Sequence, residues 1–244
     1  MSQSPDSPDA ARSDYAAASR AALVEALLAA GPGSPTLCPD WRTEHLAAHI
    51  VLRERSPLVL GLVVPAASRR LEQKTMALGD AHASAADYAR LVDQVEQGPL
   101  GPAPGRRNTR TGDRVRRAAA VLRRTAVAST VADQVQLLEF YVHAEDVRRA
   151  QGDWAPRILA DDYADTLYRH LVSRARLLYR GEGTGVVLER RARAASRTDN
   201  TPVTDLPPKD DGRTLRVTGP AGELVMHAFG RRTAALVLED MLGA

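Results

Sequence analysis

Two short stretches of this chain carry side chains that could do chemistry together. In LLEFYVHAEDVRRA, Glu139 precedes His143 by four residues. On a helix that spacing stacks a carboxylate and an imidazole one turn apart on the same face. Val135 and Leu138 make the face otherwise apolar, so a buried Glu139 needs a cation or a metal beside it. Asp146 follows His143 by three residues and can accept a hydrogen bond from that imidazole. The run Glu145–Arg149 reads equally as an exposed, ion-paired helix face. In EHLAAHIVLRER, His45 and His49 are also four apart. A helix bundle could bring His49 opposite Glu139 and His143. A His/Glu/His set drawn from two helices holds a divalent metal and leaves a fourth position open. By ligand type such a set suits Zn²⁺, Fe²⁺, Ni²⁺ or Mn²⁺. A plainer reading stands beside it, because Glu-x3-His pairs occur on many helices that bind nothing.

The elements that must position these residues follow from hydrophobic period. Leu23, Ala26, Leu27 and Ala30 repeat at three and four residues, and Gly31-Pro32-Gly33 ends that first helix, which spans about 10–30. After the loop SPTLCPDW, Thr43 can cap a second helix, with Glu44 favourable in its first turn. Helices are expected over 68–78, 84–96, 131–150 and 160–179. Beyond Gly181-Glu182-Gly183 the period moves towards two, with strands expected at 186–188, 215–218 and 234–239 and a short helix over 221–229. The Pro- and Asp-rich stretch 198–211 reads as a loop. The expected organisation is α+β: a polar tail over 1–9, a helical bundle over 10–180, and a small α+β domain over 184–244.

Composition excludes several classes. Hydrophobic residues make up 44% and charged residues 26%, values of an ordinary folded chain. A single cysteine, Cys38, rules out an internal disulfide framework and a cysteine-rich metal cluster. It reads as a small apolar residue near the bundle. The net charge of +3 is local in origin, since residues 106–124 hold eight Arg against one Asp and the remainder is net −4. That patch lacks interleaved aromatics, so nucleic acid is not an expected partner. The longest apolar run, Leu58–Ala67, reaches roughly half of a bilayer core at about 1.5 Å per helical residue. No membrane span and no export signal are read, and the expected location is the cytoplasm.

The segments TLCPDWRTEHLAAHIVLRER, LLEFYVHAEDVRRAQ and TGPAGELVMHAFGRR together resemble the mycothiol-dependent maleylpyruvate isomerase family of the DinB-like superfamily. More closely, they resemble its actinobacterial branch of mostly uncharacterised metal-binding proteins. The resemblance implies a DinB-like four-helix bundle carrying one divalent metal, usually zinc, followed by a small α+β domain. Matched residue by residue, it implies His49, Glu139 and His143 as the metal ligands and gives His45 no role. It also implies a low-molecular-weight thiol, mycothiol, as cosubstrate. The thiolate would add to an activated double bond of a small electrophile and leave again, or be transferred to it. In Phe229-Gly230-Arg231-Arg232, Arg231 matches a Gly-Arg block of the family. Its guanidinium could clamp a substrate carboxylate in the catalytic site, although an Arg at a helix C-terminus is also favoured by the macrodipole alone. The competing expectation is a non-catalytic metal-binding or thiol-sensing protein that shares the ligands and needs no clamp.

Overall fold

The computed structural model describes residues 8–55, 65–100, 126–191, 204–208 and 212–243. Its contacts divide the chain into two compact units, Met1–Trp154 and Ala155–Ala244. The Arg-rich stretch 106–124, residues 1–7 and most of the apolar run from residue 58 lie outside the described residues. Among the described residues, no helix is long and apolar enough to cross a membrane.

The first unit contains helices α1 (Pro8–Ala30), α2 (Thr43–Arg55), α3 (Pro65–Asp80), α4 (Ala85–Gln97) and α5 (Ala126–Arg148). α1, α2, α4 and α5 build the core, which Leu23, Leu27, Leu46, Ile50, Leu91, Val95, Phe140, Ala144 and Val147 fill. Small Ala47, Ala48 and Ala144 are fully buried and let the helices approach closely. Ser84 caps α4 by accepting from the Asp87 amide at 3.2 Å. Thr43 behaves differently from its expected capping role. Its hydroxyl donates to the Gly31 carbonyl at 2.6 Å, so it ties α2 back to the end of α1.

The second unit contains α6 (Asp161–Leu178), α7 (Ala221–Ala228) and strands β1 (Gly185–Arg190), β2 (Thr204–Leu206), β3 (Thr214–Gly219) and β4 (Leu238–Leu242). The sheet order is β2-β1-β3-β4, with β1 and β3 parallel and both outer pairs antiparallel. The fold class is therefore α+β, a helical unit followed by a small sheet unit.

Several boundaries differ from the sequence expectation, three of them informatively. α6, assigned by period to the bundle, belongs to the sheet unit, so the division falls after 154 and not near 180. Tyr168 on α6 donates to the Leu188 carbonyl at 2.9 Å, and Tyr179 meets His227 at 2.7 Å. A helical period reports that a face is buried, not which neighbour buries it. β2 lies inside the stretch read as loop, because pairing with β1 overrides the turn-rich composition. The last strand starts four residues later than expected. Gly230 at φ +84° and a 3-10 turn at Arg232–Ala234 take up the chain first.

Candidate metal centre

The site is assembled from α2, α5 and the connection between α1 and α2. That connection is a folded loop. Ser34 donates to Ala30 at 2.6 Å, Thr36 to the Trp41 carbonyl at 2.8 Å, and Pro35 bridges Arg42. The loop is stitched to the C-terminal half of α5, where the Leu37 amide donates to the Asp146 carbonyl at 3.0 Å and Gln151 donates to the Pro35 carbonyl at 3.1 Å.

On α5, His143 is 8% exposed and its Nδ1 lies 2.9 Å from Asp146 Oδ2. An ionised carboxylate only accepts, so Nδ1 carries the proton and Nε2 presents its lone pair. Asp146 is completely buried. The Cys38 thiol donates to the same Oδ2 at 3.3 Å. Cys38, His143 and Asp146 each offer one ligand atom, all within 4.8 Å of one another, so this group could hold a metal ion. A thiol, an imidazole and a carboxylate are all ordinary ligands of zinc.

The structure brings His49 to the same place. Its ring stands 5.5 Å from that of His143, centroid to centroid, at 70°, and 4.8 Å from that of Trp41. Glu139 lies one turn before His143, and its carboxylate pairs with Arg53, which lies one turn after His49. The two helices thus face each other with two rungs, an imidazole pair and an ion pair. Both members of the ion pair are largely buried, so Arg53 offsets the charge of Glu139 inside the unit.

His45 stands apart in role. Its Nδ1 accepts from the Arg42 amide at 3.1 Å and its Nε2 donates to Asp80 at 3.0 Å, which makes it a helix-start tether. The run from Glu145 is not an exposed face. Glu145 and Asp146 are fully buried and Arg149 is nearly so, with Arg149 Nε bonded to Glu145 at 2.7 Å and its guanidinium over Trp154. Sequence reasoning missed Cys38 and Arg53. Arg53 carried a signal, the same four-residue offset from His49 that links Glu139 to His143. Cys38 carried none, because its partner is 108 residues away.

Arg231 is in the second unit. It is half-buried, and its Nη1 donates to the Phe229 carbonyl at 2.7 Å. The same unit holds a buried relay, in which the Tyr179 hydroxyl donates to His227 Nδ1 at 2.7 Å and His227 Nε2 donates to Glu239 at 3.0 Å. Burial holds the His227 imidazole below its usual pKa, with Glu239 opposing the shift. Burial pushes the Tyr179 phenol up.

A helical unit with paired imidazoles and a buried carboxylate behind one of them, followed by a small sheet unit, defines an α+β protein with a candidate metal centre. Comparison with solved structures points to a particular likeness. The chain matches the crystal structure of the mycothiol-dependent maleylpyruvate isomerase with a TM-score of 0.53 at 17% sequence identity, over 98% of this chain and 96% of that one. A histidine-to-alanine mutant of that isomerase matches with the same values. At that identity the likeness establishes the fold. No protein-family model matches the sequence, and none of the curated proteins searched is similar to it.

Proposed function

We propose that this protein is a metal-dependent enzyme that uses a low-molecular-weight thiol, mycothiol, to isomerise a small electrophile or to transfer the thiol to it. The observation that carries the reading is the meeting of His49 and His143, with the Nδ1 proton of His143 held by buried Asp146. A divalent ion fits these residues, since an imidazole whose Nδ1–H is tied to a carboxylate offers Nε2 outward. His49, His143 and Glu139 are the residues we assign to hold it, with zinc as the preferred ion. Bound there, zinc would keep a thiol ionised near neutral pH.

The chain's own groups have distinct tasks. Asp146 holds the proton on His143 and fixes its ring. Trp41 packs its ring against that of His49 and helps to fix it. Arg53 balances the charge of Glu139. Arg231 is assigned to a substrate carboxylate, which suits its planar fork of donors. We place the protein in the cytoplasm, where a reduced thiol pool is available.

Elemental analysis of the purified protein should give about one zinc per chain, and thiol-dependent turnover should be lost in His49→Ala and in His143→Ala. Turnover that survives removal of the metal overturns the reading. An Arg231→Ala protein that keeps its metal but loses turnover supports catalysis over passive metal binding.

A further inference from the structure

We propose that Cys38 is a positioning residue of the metal centre, holding Asp146 so that His143 keeps its proton on Nδ1 and its lone pair on Nε2. This deepens the function proposed above and rests on it for the role of the metal. The geometry is specific. One oxygen, Asp146 Oδ2, receives both the Nδ1–H of His143 at 2.9 Å and the Cys38 thiol at 3.3 Å. The residue before Cys38 is anchored as well, because the Leu37 amide donates to the main-chain carbonyl of Asp146 at 3.0 Å. Two successive loop residues therefore grip one aspartate, through its backbone and through its side chain.

Chemistry explains why a thiol suits this place. Asp146 is fully buried, and a buried carboxylate is costly unless donors surround it. A lysine or arginine there would add a cation close to a centre meant for another cation. The neutral thiol donates without adding charge. Its proton comes from a loop element and not from α5, so the carboxylate is gripped from two directions and its rotation about χ2 is resisted. The imidazole then has a single acceptor in a single place. Carboxylates behind metal-binding histidines commonly change metal affinity ten- to a hundred-fold when removed. A group that acts through the carboxylate should do less.

Two measurements on the full-length chain test this. The first is titration with Co²⁺, followed by visible absorption, which reports affinity and ligand geometry. Asp146→Asn should weaken binding about ten- to a hundred-fold. Cys38→Ala should weaken it several-fold, and Cys38→Ser should regain part of the loss, since a hydroxyl donates but reaches less far than a thiol. The second is nitrogen-15 NMR of the His143 ring without metal. The wild type and Cys38→Ser should show the Nδ1–H tautomer, and Cys38→Ala a mixture. If the wild type binds no Co²⁺, the metal reading fails, and the tautomer measurement still decides the role of Cys38. Cys38→Ala with unchanged His143 ring signals overturns the proposal. Equal loss in the Ala and Ser variants also overturns it, because that pattern reports packing and not a donated hydrogen bond.

Discussion

The ion pair between Arg53 and Glu139 is a residue-level feature with an energetic consequence that can be measured. Side chains about one-seventh exposed lie between the surface case, worth about 0–1 kcal/mol, and the buried case, in which loss of one partner costs about 3–5 kcal/mol. Arg53→Met should therefore destabilise the protein by about 2 kcal/mol in urea unfolding, and Arg53→Met with Glu139→Met should recover most of it. A second residue-level expectation concerns His227. Burial lowers its pKa in the folded state, so the unfolded chain binds the proton more readily. The stability this neutral imidazole allows is present above the ordinary value of 6.5 and is lost as pH falls below it towards the lowered value. Thermal melts between pH 7.5 and 5 should show this decline, and His227→Gln should flatten it. A variant with the same slope as the wild type would remove His227 as its source. Asp146 shows how far residue spacing can be read. Its position three residues after His143 is enough to foresee the hydrogen bond. The second grip on the carboxylate, from the Cys38 thiol, comes from the loop and not from that spacing.

At the scale of elements, helix identity followed from local period, and helix neighbours did not. α2 and α3 are held together at Gly79. A Cβ built there would lie 2.4 Å from His45 Cδ2 and 2.9 Å from His45 Cα. Gly79→Ala must push the two helices apart, and overpacking of this kind costs about 1–3 kcal/mol. A drop in melting temperature of several degrees should accompany it. An unchanged melting temperature would show that α3 shifts freely past His45. The assignment of α6 to the sheet unit teaches the same lesson from the other direction. Its stripe of Leu167, Leu171 and Ala175 is buried, as the period demanded. Tyr168, bonded to Leu188 and pushed up to about 12 by burial, identifies the partner. Nothing within the helix itself encodes that choice.

At the scale of the whole molecule, a ligand that binds only the folded state adds stability by mass action, about 2.7 kcal/mol at a hundred times its dissociation constant. If the paired imidazoles hold zinc, added zinc should raise the melting temperature of the wild type and leave that of His49→Ala with His143→Ala unchanged. A shift of equal size in both would place the ion elsewhere. The sequence by itself determined most of the elements, their amphipathic faces, the α+β order and the local pair His143/Asp146, because these depend on spacing along one helix or strand. Only the tertiary structure decided that His49 meets His143, that Arg53 takes Glu139, that Cys38 reaches Asp146 across 108 residues, and that α6 serves the sheet. Such contacts arise when separate apolar faces choose each other, and that choice depends on the shape and packing of all of them at once.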